Sequence, residues 1–188
     1  MPAKRIPRAS PRAKQQNISR SSAPRVIEIA NRHPRLRFNR RAVARTIHVL
    51  DAAFSKSKIP PIPAGELSLV FLTDAALAQL HADFLADPTP TDVITFEGDP
   101  TLGTTGEICV SADAALRHVS ACASRPSPAA FSAELTLYLV HGWLHLAGFD
   151  DLAPEKKRAM RRAEARAMRV VAQAAAVPWF ELRTTRSR

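Results

Sequence analysis

The residues His141 to Asp151 read H-G-W-L-H-L-A-G-F-D-D, and their types and spacing could bind a metal ion. His141 and His145 stand four apart on a segment with helical periodicity. A helix turns about 100° per residue, so both imidazoles share one face, one turn apart, close enough for a single ion. Gly148 can take the left-handed conformation that ends the helix and folds the chain back. Asp151 can then reach the same ion. Two imidazoles, a carboxylate and an open position describe a catalytic metal site rather than a closed structural one. Such an ion polarises bound oxygens and supplies a nucleophile from water. With six histidines in 188 residues, about 0.2 H-x-x-x-H pairs arise from composition alone, so the glycine and aspartate that follow carry the weight. The competing reading is two core histidines followed by an ordinary Gly-Asp turn. His33, His48, His81 and His118 have no such company and read as surface or packing residues.

Glu134 and Tyr138 precede His141 by seven and three residues, on the same helix face. Either could orient a ligand or handle a proton. Glu134 is the candidate catalytic residue, although a helix-start carboxylate also suits the dipole. Thr91 and Asp92 are candidates for lining the cleft, or equally for capping a strand. Asp150 reads as a turn residue, its side chain pointing away from that of Asp151. The same histidine spacing occurs in metzincin-type peptidases, whose general base is the Glu directly after the first His. Gly142 stands there in this chain, which removes the proton shuttle that chemistry needs.

The elements that must position these residues follow from periodicity and caps. Val26–Ala30 alternates like a short strand. Val43, Ile47, Leu50 and Phe54 fall at helical spacing behind an Asn39 cap, predicting a helix over Asn39–Ser55. Glu66–Leu72 predicts a strand, and Thr73 caps a helix through Leu85. Asp92–Phe96 and Glu107–Val110 are short strands around a Gly/Pro/Thr loop. Ser111 caps a helix to about Ala123, and the histidine helix runs from about Ala129 to Leu146. Pro154 opens a last helix reaching about Ala176. This order predicts an α+β domain: a small mixed four-stranded sheet packed by about five helices, one of them a zincin-like metal helix. The expected organisation is a disordered basic arm (1–25), a single metal-dependent hydrolase domain (26–177) and a polar C-terminal tail (178–188).

Composition narrows the class. No apolar run approaches the roughly 20 residues of a membrane-spanning helix, and two cysteines make no disulfide scaffold. A soluble intracellular domain with reduced thiols is expected. The net charge of +10 is unevenly laid out: residues 1–45 carry thirteen Lys/Arg against Glu28 alone. Residues 46–153 are acidic and residues 154–188 basic again. Basic flanks can hold a polyanion by neutralising phosphates, and an acidic centre suits a cation. The last helix, K-K-R-A-M-R-R-A-E-A-R-A-M, reads as a packed helix with an arginine face open to solvent or to RNA.

The stretch H-G-x-L-H-L-x-G-[YF]-D resembles the YbeY-type endoribonucleases, the rRNA maturation factors of bacteria. L-H-A-D-F-L-A-D-P-T-P-T-D-V-I-T-F (Leu80–Phe96) is similar to the segment before that family's Thr-Asp-Val-hydrophobic-Ser/Thr-Phe strand. G-E-I-C-V-S (Gly106–Ser111) resembles its Gly-acid-Ile strand, and Glu134 matches an acidic residue common at the start of its metal helix. The resemblance covers roughly Glu66 to Met168. It implies a zinc-dependent, single-strand-specific endoribonuclease, with another divalent metal as the alternative cofactor. It also implies action on single-stranded RNA and rRNA at the ribosomal small subunit, in 3′ end maturation and ribosome quality control, in the cytoplasm and off the membrane. Two positions depart from the family pattern: Asp151 stands where a third His is usual, and Leu85 follows Phe84 where Arg is common. Arg117, or one of Arg158–Arg169, is the expected substitute for that phosphate-contacting cation. The rival reading is a non-catalytic ribosome assembly factor whose metal only holds the fold.

Overall fold

The computed structural model describes residues 4–6, 25–55, 62–86, 89–123 and 125–183. The chain runs β1 (Lys4–Ile6), β2 (Ile27–Asn31), β3 (Leu36–Phe38), α1 (Arg40–Phe54), β4 (Glu66–Leu72) and α2 (Asp74–Leu85). It continues with β5 (Val93–Glu97), a short 3-10 turn at Pro100–Leu102, β6 (Thr104–Ser111) and α3 (Ala112–Cys122). Then come α4 (Pro128–Leu146), α5 (Pro154–Gln173) and β7 (Phe180–Leu182). The principal sheet has the order β1-β5-β6-β4-β2, and β5 and β6 form its antiparallel pair. β2, β4 and β6 run parallel to one another, as do β1 and β5. The α+β class and the four strands expected from alternation are therefore present. Lys4–Ile6 adds a fifth strand at one edge, inside the stretch expected to be a structureless arm; residues 1–3 and 7–24 of that arm lie outside the described residues.

Caps fix where the helices begin. Asn39 accepts from the backbone N–H groups of Arg41 and Ala42, and Thr73 from that of Ala76. Ser111 accepts from Ala114 and Ser127 from Ala130, each meeting an orphan donor of a first turn. α4 is the central element: Leu135, Leu139, Val140, Trp143 and Leu144 are buried in the main core with Leu69, Phe71, Ile108 and Val110 of the sheet. Gly142 lets this helix lie directly on the strands. A Cβ there would stand 2.5 Å from Ile108 Cγ2 and 3.2 Å from Thr95 Oγ1. The other sheet face carries a smaller cluster, Val70, Leu72, Leu77, Ile94 and Cys109, covered by α2.

Two stretches differ from the sequence reading. The tail expected to be polar returns as β7, which pairs antiparallel with β3. Phe180 is buried there against Phe38 and Phe71, with ring centroids 5.5 and 5.6 Å away. α5 stops at Gln173 rather than near Ala176. The backbone turns left-handed at Ala175, and Arg45 donates to the carbonyls of Ala174 and Ala175 at 2.8 and 3.0 Å. No described helix is long and apolar enough to cross a membrane.

Candidate metal centre

α4 brings His141 and His145 onto one face, with their Nε2 atoms 3.0 Å apart and their rings nearly perpendicular. Gly148 then reverses the chain at φ 90°. Its N–H donates to the His145 carbonyl at 2.9 Å, and that of Phe149 to the Leu144 carbonyl at 3.0 Å. These are the bonds of a left-handed helix stop. Asp151 returns from this turn with Oδ1 4.0 Å from His145 Nε2. Ligand atoms of the three residues all lie within 4.8 Å of one another.

Each histidine is oriented from behind. His141 Nδ1 is 2.5 Å from Glu164 Oε1 of α5, and His145 Nδ1 is 3.0 Å from the Phe149 carbonyl. With the Nδ1 positions engaged, both Nε2 atoms are turned to the common point, the tautomer arrangement that ligating histidines need. Asp151 is 7% exposed, and its Oδ1 is buried with no hydrogen-bond partner. An orphaned carboxylate oxygen costs free energy unless something cationic meets it. Burial pushes the Asp151 carboxyl above its ordinary range, while the charges of His141 and Lys157 oppose that rise. The donor set of two imidazole nitrogens and one carboxylate oxygen fits zinc or a neighbouring divalent ion.

The other expected site residues separate into two groups. Glu134 and Tyr138 lie along the same face of α4, near enough for each to influence the other's ionisation. Burial raises both groups, and the negative charge of Asp92 adds to the rise in each. Asp92 therefore belongs to this side of the cleft, although its Oδ1 also accepts from its neighbour Val93 at 3.0 Å. His118 of α3 approaches Glu134 at 3.7 Å. Arg117 pairs with Asp74, whose other oxygen takes the Ser111 hydroxyl at 2.5 Å, and the Arg117 charge reaches Tyr138. Thr91 is buried, with its hydroxyl turned to Asp92 and the Val93 carbonyl, so it is a strand-start residue here. Asp150 lies outside the triad: it accepts from the Leu152 N–H and pairs with Lys156.

Glu164 was missed by the sequence reading. Its signal was present, because it occupies the apolar stripe of α5 between the buried Met160, Ala163, Ala167 and Val171. The peptidase alternative meets a steric obstacle, since the position that would hold its general base presses against Ile108 and has no room for a side chain.

Comparison with known proteins identifies the family. The family model described as Endoribonuclease YbeY matches residues 28–172. The Endoribonuclease YbeY of Rhodopirellula baltica is 37% identical over 130 residues, 68% of this chain and 64% of that protein. That of Chlamydia pneumoniae is 40% identical over 105 residues, 53% of this chain and 65% of its own length. The match thus spans slightly less than two thirds of each relative. Among solved structures, that of TM1509 from Thermotoga maritima superposes with a TM-score of 0.54 at 20% identity, covering 80% of this chain and 93% of that one, which speaks for the fold. From a family model that takes in most of its length, the chain belongs to the YbeY endoribonuclease family.

Proposed function

We propose that this protein is a metal-dependent, single-strand-specific endoribonuclease. Its substrate is rRNA at the ribosomal small subunit, and its work is 3′ end maturation and ribosome quality control in the cytoplasm. The observation that carries the chemistry is the buried, unpartnered Asp151 oxygen facing two oriented histidines. Family membership supplies the substrate class. His141, His145 and Asp151 would hold one zinc ion, which when bound offers Lewis acidity at a phosphate oxygen and a water of lowered pKa.

The chain's own residues then have distinct tasks. Glu164 holds the His141 ring through Nδ1, and the Phe149 carbonyl does the same for His145. Glu134, raised by burial and beside Tyr138, is the group placed to hold or pass a proton. Arg117, kept in place by Asp74, offers the cation that Leu85 does not. Asp92 lies at the same side of the cleft, beside Glu134 and Tyr138.

The deciding experiment measures metal content together with cleavage of a single-stranded oligoribonucleotide and of the same sequence in a duplex. It compares wild type, His141→Ala and Asp151→Ala, with chelator controls. Near-stoichiometric metal and single-strand cleavage, both lost in the variants while the fold survives, support the proposal. Metal without cleavage would favour a non-catalytic assembly factor. A wild type that takes up no metal would overturn the mechanism.

A further inference from the structure

The arginines of α5 lie on the side of that helix opposite its buried stripe, and all but Arg161 are about 120° or more round the helix from Glu164, which faces the metal centre. Arg158, Arg161, Arg162, Arg166 and Arg169 are exposed and, at about 100° per residue, fall within a sector of about 140°. That sector is opposite the buried stripe of Met160, Ala163, Ala167 and Val171. None of the five forms an ion pair among the described residues. The two acids of the helix do not neutralise the ridge: Glu155 sits in its first turn and Glu164 faces His141. Like charges three and four apart weaken a helix, so this arrangement is not explained by helix stability.

The ridge continues onto α1. Arg45 binds the carbonyls at the end of α5, which places the start of α1 beside the last turn of α5. Arg40 and Arg41 are exposed in that first turn of α1, which holds no acid. Cations at a helix N-terminus oppose the dipole, so here too the charge disfavours the local structure. On the far face of the sheet Glu66, Glu97 and Glu107 line an open groove of about 290 Å³, so a polyanion is drawn to the α5/α1 side in preference to that groove.

We infer that the outer face of α5, continued onto the start of α1, is a second contact surface for structured RNA, separate from the cleft. This rests on the endoribonuclease reading only for what lies in the cleft. The ridge from Arg158 to Arg169 is about 16 Å long at 1.5 Å per residue, and Lys157 at its near end projects its charge onto Asp151. α5 is thus the wall between the two sites. A folded RNA held by its phosphates on the outer side can pass a single-stranded extension over the start of α5 to the metal centre. A membrane-surface helix would need a free apolar face, and the apolar stripe of α5 is buried in the core.

The test is Arg158→Gln/Arg162→Gln/Arg169→Gln, which keeps good helix formers in place. Binding is measured on a hairpin RNA with a single-stranded tail, in chelator so that nothing is cut, as a function of salt. The expected result is a loss of about 10–100-fold in affinity at low salt and a salt slope shallower by about two to three, near 0.9 per lost phosphate contact. The thermal midpoint and kcat/KM on a short single-stranded oligonucleotide are expected to stay as in wild type. Unchanged hairpin affinity and slope would overturn the inference. An equal loss on the short oligonucleotide would overturn it as well, by assigning the arginines to the cleft. So would tighter arginine-dependent binding to phosphatidylserine vesicles than to the hairpin. Because binding is read without cleavage, a protein that cuts no RNA would sink the proposed activity and leave this result standing.

Discussion

Removing the carboxylate of Glu164 should weaken metal binding without removing a ligand. Glu164 Oε1 lies 2.5 Å from His141 Nδ1 and comes from a different helix, so it fixes both the ring's rotation and which nitrogen carries the proton. Groups in this position are typically worth about 10–100-fold in metal affinity, which is about 1.4–2.7 kcal/mol. Glu164→Gln keeps an acceptor oxygen and loses only the charge, so it belongs at the lower end; Glu164→Ala loses both and belongs at the upper. Competition against a chromophoric zinc chelator at fixed pH and salt reads the affinity directly. Differential scanning reads it a second way, because metal stabilises the fold according to its occupancy. At roughly 2–4 °C per kcal/mol for a chain of this size, the zinc-induced rise in Tm should shrink by roughly 3–10 °C. The metal-free Tm should hardly move, since the pair is partly solvated. Wild-type zinc affinity in Glu164→Ala would refute the claim that this residue orients His141. A fall in the metal-free Tm as large as the fall in the zinc-bound one would instead make Glu164 a packing residue.

Two further perturbations probe the scaffold. Gly142→Ala should cost about 1–3 kcal/mol by overpacking against Ile108, read as a lower urea midpoint with an unchanged m-value; a wild-type midpoint would mean that α4 is not pressed onto the sheet. Burial raises Glu134 above its ordinary 4.5, so between the unfolded and folded values the native state binds more protons and stability falls as pH rises. Glu134→Gln should therefore be more stable relative to wild type at pH 7 than at pH 4 in urea titrations, and an equal difference at both pH values would contradict the burial argument.

The sequence disclosed whatever local chemistry decides. The caps Asn39, Thr73 and Ser111 mark helix starts that need no distant partner, because a side-chain oxygen beside its own first turn is enough. The four-residue spacing of His141 and His145 works the same way, as does the stop at Gly148. What escaped was set by residues far apart in the chain. β3 and β7 are three residues each and too short for alternation to register; they exist because Phe38 and Phe180 meet over Phe71. His33 read as a surface or packing residue. It is buried because its Nδ1 accepts from the Arg35 and Leu36 N–H groups while Nε2 faces Asp113, 80 residues away. Glu164 was hidden among arginines, although its place in the apolar stripe of α5 was visible to a helical count. Trp143 is a core residue, its indole N–H donating to Asp51 at 3.1 Å, while Trp179 is 60% exposed.

The β3–β7 pair bears on the order in which this protein can be made. Leu36 pairs with Leu182, so one strand leaves the ribosome well over a hundred residues ahead of its partner. The histidines, the Gly148 turn and Glu164 all emerge before β7 does. At about 5–20 residues per second, the nascent chain waits for several seconds with the Phe38 and Phe71 rings lacking the Phe180 ring that covers them. Ligand capture can precede closure during translation, and this part of the hydrophobic core stays open until β7 arrives.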